Sequence, residues 1–388
     1  MKRKKIVIIT SRFPFPLDKG DKLRIYHQIK YLSKYHKIYL IALNTENKIT
    51  QNQIEELKKY CENVFVIRLS LFSRVINLIQ SFLNREPLQV GYFYSKKAHG
   101  KITNIIKKIQ PDWCYAQLIR TAKYIENEEN NIIDYMDALS KGIERRINTF
   151  PLLIRPIIKY EFKITQLYEK YIFKKFQKHT IITENDREFI THKNNQKIIV
   201  IPNGVDTTYF SPTQSSKKKY DIIFIGNMNY PPNIKAAIFL CEEILPRLEK
   251  KYRRCKVLIG GTNPNKRIKK LKNKNIDVSG RVNDIRELYN SGHIFLAPMF
   301  IGTGLQNKLL EAMAMGLPCI TTSLANDALL ANKQQIITAD SIENFTNSCV
   351  KLLENTKDYK KFQKEGLKFI KKKYDWKKIN HKLSELFN

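Results

Sequence analysis

The segment IFLAPMFIGTGLQNKLLEAMAMGLP at residues 294–318 combines an apolar strand, a glycine loop and an amphipathic helix. Leu309 and Leu310 belong to the apolar stripe of that helix, and Gly316 and Pro318 end it. A strand that leads through a loop into a helix is the repeating unit of a parallel sheet with right-handed crossovers. The segment therefore predicts an α/β fold, and the rest of the chain should repeat its pattern.

The glycine loop of this segment is suited to an anionic ligand. Gly302 and Gly304 permit positive φ, so backbone N–H groups and the positive end of the helix can approach phosphate oxygens. Lys308 adds a positive charge, and Glu311, on the same helix face, can accept hydrogen bonds from two ribose hydroxyls. The pattern is typical of a nucleotide diphosphate site, but a glycine pair before a helix also occurs in α/β proteins without one.

The alternation of strands and helices continues along both halves of the chain. The first half contains the strands KKIVIIT, IYLIAL, VFVIRL, IIDYM and IIT, with the helices LRIYHQIKYLSKY and QNQIEELKKY between the first three. After IIVIPNG and a polar linker at 211–219, the second half contains the strands YDIIFIGN, CKVLIGG and DVSG and the helices IKAAIFLCEEILPRLEKKY and DIRELYNSG. Such alternation predicts two doubly wound parallel sheets.

The length of 388 residues also favours two domains, because a typical domain has about 100 to 200 residues. We expect Rossmann-like domains at 1–205 and 206–370 that face each other across a cleft, with ligands outside the carboxyl ends of the strands. A last apolar stripe predicts a C-terminal helix within 371–388 that packs back on the first domain.

The formal net charge of +33, from 69 basic and 36 acidic residues, favours an anionic partner. Nucleic acid, an anionic membrane surface and a phosphorylated substrate are the three candidates. The sequence has no zinc finger, aromatic RNP strand or basic heptad region, so we expect no nucleic acid partner. A general excess of lysine in a chain rich in Asn and Ile is the alternative explanation of the charge.

The cellular location is also constrained by the sequence. The six cysteines are scattered and form no CxxC pair, which is typical of reduced cysteines and indicates no zinc site. No run of about 18 apolar residues could span a bilayer. The basic start MKRKKIVIIT leads into a turn without a cleavage site, so we expect the first strand there and a cytoplasmic protein.

Two segments of the first half have the composition of interfacial helices. Segment 68–83 places apolar residues on one face: Phe72, Val75, Ile76, Ile79, Phe82 and Leu83. Segment 147–178 combines aromatic and aliphatic residues with many lysines and arginines, which suits anionic lipid. Peripheral contact with the inner face of the cell membrane and ordinary packing on the sheet are both open for these segments.

Four blocks of sequence, taken in order, resemble the retaining glycosyltransferases of the GT-B fold, family 4. The blocks are IPNGVDTTYFSP at 201–212, FIGNMNYPPNIKAA at 224–237, GRVNDIRELYNSGHIFLAP at 280–298 and LLEAMAMGLPCITT at 309–322. The opening FPFPLDKGDKLRIYH at 13–27 is similar to the subgroup associated with exopolysaccharide and surface-glycan genes. The resemblance covers nearly the whole chain. It implies transfer of a hexosyl group from a UDP- or GDP-linked nucleotide sugar to a hydroxyl of a glycan or lipid-linked acceptor, in bacterial surface polysaccharide synthesis.

The resemblance implies a donor site in the second domain, with Glu311 on the ribose. The family's first glutamate would stand at Thr303, and Asn227 stands where the family has an arginine. Sugar recognition then depends on the backbone of 302–305 and the Thr303 hydroxyl, while Lys308 bears the pyrophosphate charge with Arg281. The donor-binding residues that we expect are Gly226, Asn227, Arg281, Gly302, Gly304, Leu305, Gln306, Asn307 and Glu311.

In the first domain the resemblance points to Gly20, after the opening strand and its loop, where the family brings backbone N–H groups to the phosphate and acceptor. Asp21 and Arg24 adjoin it. Asp137, after the strand IIDYM, is placed either to hold an acceptor hydroxyl or to serve as a helix N-cap or turn residue. The catalytic residues that we expect are Lys308, Thr303 and Asp137.

The family's reaction retains the anomeric configuration. No protein nucleophile is evident, so we expect a same-face reaction in which the leaving phosphate accepts the proton of the acceptor. No DxD motif occurs, so we expect no metal and no cofactor beyond the nucleotide-sugar substrate. Two alternatives stay open: a nucleotide-sugar epimerase of the same architecture, and a catalytically degenerate protein that binds membrane or glycan machinery.

Overall fold

The computed structural model describes residues 3–45, 48–125, 129–213, 218–252, 255–301 and 304–388. The chain divides into two compact units, one formed by Met1–Pro202 with Ile379–Asn388 and the other by Asn203–Lys378. Each unit contains one parallel sheet and the helices that connect its strands. This arrangement confirms the expected α/β fold with two Rossmann-like, doubly wound units.

The sheet of the first unit is fully parallel. Its strands are β1 Lys5–Thr10, β2 Lys37–Asn44, β3 Asn63–Arg68, β4 Trp113–Gln117, β5 Asn131–Asp134, β6 Lys178–Ile181 and β7 Ile199–Val200. Within the described residues they form a seven-stranded sheet in the order β3-β2-β1-β4-β5-β6-β7. Ile6, Val7 and Ile9 are fully buried, as expected of a central parallel strand covered on both faces. The order reverses between β1 and β4, and this reversal opens a crevice at their carboxyl ends.

Helices connect these strands, and several begin at a residue whose side chain caps the helix. The helices are α1 Gly20–Leu32, α2 Gln51–Lys58, α3 Leu71–Leu83, α4 Leu88–Phe93, α5 Lys96–Ile109, α6 Leu139–Glu144, α7 Arg155–Lys175 and α8 Glu184–Phe189, with 3-10 turns at Ile119–Tyr124, Ile147–Thr149 and Asn195–Lys197. Ser70 caps α3 by accepting a hydrogen bond from the Ser73 N–H, and Ser95 caps α5 in the same way.

The second unit repeats this design with a smaller sheet. Its strands are β8 Tyr220–Ile225, β9 Val257–Gly260, β10 Ile276–Val278, β11 Gly292–Ala297, β12 Cys319–Thr321 and β13 Ile337–Thr338. They form a six-stranded parallel sheet, counted over the described residues, in the order β10-β9-β8-β11-β12-β13. The reversal lies between β8 and β11, so the loops that follow these two strands flank the second crevice.

The helices of the second unit differ from the sequence prediction at one place. They are α9 Pro231–Phe239, α10 Leu245–Lys251, α11 Lys266–Lys269, α12 Ile285–Asn290, α13 Asn307–Ala314, α14 Ser323–Leu329, α15 Ile342–Glu354, α16 Thr356–Lys373 and α17 Trp376–Glu385. The single helix expected over 234–252 is interrupted by a π-helical turn at Leu240–Ile244. Pro246 follows that turn in the first positions of α10, where its missing N–H costs no helical hydrogen bond.

The C-terminal residues complete the first unit. The Asn380 amide donates a hydrogen bond to the His27 carbonyl at 3.0 Å, and the Lys4 ammonium donates one to the Phe387 carbonyl at 2.6 Å. Phe387 is fully buried, with its ring edge-on to Trp113. Among the described residues, none of the helices combines the length and the apolar character needed to span a bilayer.

Candidate active site

The carboxyl ends of β8 and β9 approach each other so closely that both need glycine. Gly261 has φ +125°, and a Cβ atom on it would lie 1.9 Å from the Gly226 carbonyl oxygen. A Cβ atom on Gly226 would in turn lie 2.7 Å from the Asn233 Nδ2. The glycines therefore allow Asn233, near the start of α9, to lie directly against the end of β8.

Lys308 lies in the first turn of α13 and contacts Asn233. Its Nζ donates hydrogen bonds to Asn233 Oδ1 at 2.6 Å and to Gln306 Oε1 at 3.3 Å, and lies 5.6 Å from the centroid of the Phe224 ring. Burial lowers the pKa of Lys308 to about 8, and the nearby Glu311 carboxyl opposes that change. Both oxygens belong to neutral amides, so they hold the ammonium without neutralising it.

Glu311 lies three residues further along α13 and is held by a buried tyrosine. Its Oε2 accepts a hydrogen bond from the Tyr289 hydroxyl of α12 at 2.7 Å. Burial raises the pKa of Glu311 to about 7, while the Tyr289 hydrogen bond and Lys308 both favour the carboxylate. A carboxylate and an ammonium therefore share one face of α13.

The start of α13 is half-buried and follows a loop that contains a glycine with positive φ. Gly304 has φ +94°, in the left-handed region that glycine favours, and its carbonyl accepts a hydrogen bond from the Gln306 side chain at 3.2 Å. Gln306 is the N-cap residue and makes no side-chain cap hydrogen bond. The side-chain oxygen of Asn307 accepts a hydrogen bond from the Asn203 side-chain amide at 3.3 Å. The positive end of α13 can therefore receive an anion.

The structure brings some of the predicted donor residues together. The Asn227 carbonyl accepts a hydrogen bond from Asn233 at 3.0 Å, so Asn233 connects the end of β8 to Lys308. Leu305 lies in the half-buried loop before α13, and Arg281 is an exposed residue between β10 and α12. Gly302 and Thr303 lie outside the described residues.

Sequence reasoning missed two residues of this cluster, Asn233 and Tyr289. Asn233 lies 75 residues before Lys308, and Tyr289 lies 22 residues before Glu311. Neither stands in a motif with a chemical role of its own. The paired prolines before Asn233 indicate that a helix starts there, a few residues after Gly226. That helix start was the sequence signal that could have placed Asn233 in the site.

In the first unit, α1 begins beside the end of β1. Gly20 is the first residue of α1, and a Cβ atom there would meet open space. Asp21 forms an ion pair with Arg12 at 2.6 Å. Arg24 is fully buried and pairs with Asp134 of β5 at 2.6 Å, which makes it a structural residue rather than a ligand contact.

Asp137 follows β5, as predicted, but it does not cap α6. The N-cap of α6 is Ala138, and Met136 before Asp137 has φ +63°. Asp137 is an exposed residue, although protein atoms surround its carboxyl group. Loss of surrounding water raises its pKa to about 6, the Asp186 carboxyl adds to this, and Arg120 opposes it. The Asp137 carboxylate can accept a hydrogen bond from a hydroxyl of the acceptor substrate.

Two cavities open beside the carboxyl end of β1. One, of about 540 Å³, is lined by basic side chains that include Lys19, Lys22 and Arg12. The other, of about 250 Å³, is lined by Arg12, Arg120, Leu78, Leu88, Gln89, Tyr92 and Phe93. The guanidinium carbons of Arg12 and Arg120 lie 5.9 and 5.2 Å from the centroid of the Phe93 ring. Sequence reasoning did not single out this arginine pair.

Comparison with known sequences shows a similarity in the second unit. The sequence model for Glycosyl transferases group 1 matches residues 219–355. An uncharacterised 44.6 kDa protein in the cps region of Klebsiella pneumoniae is 23% identical over 97% of both chains. An uncharacterised glycosyltransferase of Methanocaldococcus jannaschii is 23% identical over 59% of this chain and 64% of its own length.

Comparison with solved structures identifies the fold. Sucrose-phosphate synthase from Thermosynechococcus elongatus superposes with a TM-score of 0.69 at 11% identity, covering 99% of this chain and 98% of its own. Anabaena HepE in complex with UDP-glucose gives 0.68 at 12% identity and 99% of both chains. WaaG, a glycosyltransferase of lipopolysaccharide biosynthesis, gives 0.67 at 15% identity, covering 99% of this chain and 100% of its own. A UDP-N-acetylglucosamine 2-epimerase gives 0.58 at 12% identity, covering 99% and 95%. The chain therefore has the GT-B fold, and its residues 219–355 are similar to the group 1 glycosyl transferases.

Proposed function

We propose that the chain transfers a hexosyl group from a UDP- or GDP-linked sugar to a hydroxyl of a glycan or lipid-linked acceptor, with retention of the anomeric configuration, in bacterial surface polysaccharide synthesis. The cluster of Lys308, Asn233, Glu311 and Tyr289 at the start of α13 carries this proposal. The Klebsiella relative in a cps region and the likeness to WaaG and to UDP-glucose-bound HepE support it.

The donor's diphosphate binds at the start of α13. The Lys308 ammonium, held by two neutral amide oxygens, supplies a full positive charge, and the helix end supplies N–H groups and a partial one. Arg281, exposed on the loop before α12, adds to the positive field there. The 302–305 backbone and the Thr303 hydroxyl contact the sugar.

The donor's ribose binds at Glu311. Tyr289 holds one oxygen of this carboxylate at 2.7 Å, which fixes its orientation and leaves lone pairs for two ribose hydroxyls. The backbone of Asn227, after the end of β8, is connected to Lys308 through Asn233. One face of α13 thus binds the ribose and the diphosphate of the same nucleotide.

The reaction breaks the bond between the anomeric carbon and the diphosphate oxygen and forms a bond from that carbon to the acceptor oxygen. The acceptor's proton passes to the departing diphosphate oxygen on the same face. Lys308 and the α13 end stabilise the charge that grows on the diphosphate, so the transfer requires no resident divalent cation. In the first unit, Gly20 presents backbone N–H groups, and Asp137 orients the acceptor hydroxyl.

Donor turnover tests this proposal. The purified chain is incubated with UDP-glucose, UDP-N-acetylglucosamine or GDP-mannose, with and without octyl glycosides as acceptors, and released nucleoside diphosphate is measured. We expect slow release from one donor, faster release with an acceptor, and a product with the donor's anomeric configuration by NMR. EDTA should not change the rate.

Other outcomes identify the alternatives. Conversion of the sugar itself without an acceptor would show an epimerase, and binding of a nucleotide sugar without any turnover would show a degenerate binding protein. An inverted anomeric product would contradict the proposed same-face reaction. Inhibition by EDTA that Mg²⁺ reverses would contradict the role given to Lys308.

A further inference from the structure

Helix α3 presents its apolar side to solvent and its polar side to the protein. Leu71, Phe72 and Leu83 are 72%, 78% and 73% exposed, whereas Arg74 and Ser81 are 8% and 3% exposed. The other large apolar residues of that outer face are Val75, Ile76, Ile79 and Phe82. This is the reverse of a helix that packs on a sheet through its apolar stripe.

Specific contacts fix α3 in this orientation. Arg74 donates a hydrogen bond to the Tyr92 hydroxyl, and Asn77 donates one to the Tyr94 carbonyl. Ser81 packs so closely on α4 that a Cβ atom on Gly91 would lie 1.8 Å from its Oγ. These contacts hold the polar side of α3 against α4 and Tyr94, so the apolar side of α3 faces outward.

A second exposed apolar segment adjoins α3. Leu152 and Leu153, before α7, are 74% and 92% exposed, and Ile157 on the first turn of α7 is also exposed. The ring of Phe82 on α3 lies 5.8 Å from that of Tyr160 on α7. We call the exposed apolar residues of α3 and of 150–160 together the apolar face. Contiguous exposed apolar patches are typical of interaction sites.

The charge around the apolar face indicates which kind of surface it fits. Segment 68–85 contains no acidic residue. In 145–178 the acidic residues are Glu161 and Glu169, which are both buried and accept hydrogen bonds from Leu88 N and Ser140 N. The exposed charges of residues 68–85 and 145–178 are thus all positive: Arg68, Arg85, Arg145, Arg146, Lys159, Lys163, Lys170, Lys174 and Lys175. The acidic residues that border these ranges, Glu86 and Glu144, form ion pairs with Lys123 and Lys141.

We propose that the apolar face docks on the surface of an anionic lipid bilayer. Hydrocarbon accepts the apolar side chains, and lipid phosphates pair with the surrounding lysines and arginines. A second copy of this chain would bring the same positive charges to the contact and be repelled. Nucleic acid would leave the apolar side chains in water.

Docking would also place a cavity of the first unit at the lipid surface. Leu78 of α3 lines the 250 Å³ cavity that contains Arg12 and Arg120. This cavity would then lie beside the docked helix, near the headgroup of a lipid-linked acceptor.

Co-sedimentation with vesicles tests the proposal. The full chain is mixed with phosphatidylcholine vesicles or with vesicles of phosphatidylcholine and phosphatidylglycerol, at low and high salt. We expect at least tenfold tighter binding to the anionic vesicles and weaker binding at high salt. Phe72→Ser with Leu83→Ser should weaken binding at least tenfold, and Lys159→Gln with Lys163→Gln about thirtyfold. Leu330→Ser with Lys364→Gln, exposed residues of the second unit, is the matched control and should bind as the parent does.

Equal binding to both vesicle types, or unchanged binding of the Phe72 and Leu83 variant, would overturn the proposal. A dimer in solution that the same variant converts to a monomer would show that a second copy covers the face instead. The assay contains no nucleotide, so its result is independent of the proposed transfer reaction. All substituted side chains are exposed, and circular dichroism checks that each variant is folded.

Discussion

Lys308 is bound by neutral amide oxygens, and this determines how nucleotide binding should respond to pH. Burial lowers its pKa to about 8 from the ordinary value of 10.5, so the free protein loses this positive charge as pH rises through 8. Glu311 has its pKa raised to about 7, so its carboxylate is lost as pH falls through 7. A nucleoside diphosphate needs both charged forms.

We therefore expect the affinity for a nucleoside diphosphate to be highest between about pH 7 and 8 and to fall on both sides. Isothermal titration calorimetry from pH 6 to 9.5 measures it. Lys308→Arg keeps its charge over this range and should lose only the decline above pH 8. An affinity of the parent chain that stays constant up to pH 9.5 would rule out Lys308 as the diphosphate ligand.

Glu311 binds the ribose in our account, and its substitution should separate nucleosides from phosphate. Glu311→Gln should weaken the binding of a nucleoside diphosphate by about 1.5 to 3 kcal/mol, the range for a hydrogen bond to a charged group. The binding of free pyrophosphate, which has no ribose, should weaken much less in this variant. Competition binding with both ligands measures this, and equal losses would place Glu311 away from the ribose.

At the scale of elements, the contact of α3 with α4 is a second testable feature. A Cβ atom on Gly91 would lie 1.8 Å from Ser81 Oγ and 2.9 Å from the Asn77 carbonyl oxygen. Gly91→Ala should therefore lower the free energy of unfolding by about 1 to 3 kcal/mol, as overpacking does. Urea unfolding measures the change.

Gly100 of α5 is the matched control for Gly91. A Cβ atom there would meet nothing within 4 Å, so Gly100→Ala should leave stability unchanged or raise it by about 0.5 to 1 kcal/mol. If Gly91→Ala changed the free energy of unfolding as little as Gly100→Ala does, the close packing of α3 on α4 would be contradicted.

The sequence predicted elements better than it predicted their surroundings. The stripe on α3 was correctly placed on one face, because helical periodicity shows which residues share a face. Its outward direction could not be predicted, because it depends on contacts of Arg74 and Ser81 with α4. The strand β4 was missed because WCYAQ is short and mixes polar with apolar residues, and its burial comes from the neighbouring β1 and β5.

At the scale of the whole molecule, two parallel sheets follow from the alternation of strands and helices, which was visible in the sequence. Only half of the candidate site could be predicted from the sequence. Lys308 and Glu311 could be named because both lie on one helix after a glycine loop, but Asn233 and Tyr289 come from distant segments. Their contacts arise only when α9 and α12 are placed around the reversal between β8 and β11.

The central claim is that the second unit binds a nucleoside diphosphate through Lys308. Thermal unfolding with UDP, GDP or ADP tests it most directly, because a ligand that binds only the native state raises Tm. At a hundredfold excess over Kd we expect one of UDP and GDP to raise Tm by about 5 to 10 °C. Lys308→Ala should lose about 1.5 to 3 kcal/mol of binding and most of that rise, while Lys235→Ala, an exposed lysine of α9, should keep it. No rise with any nucleotide, or an equal rise in Lys308→Ala, would contradict the account.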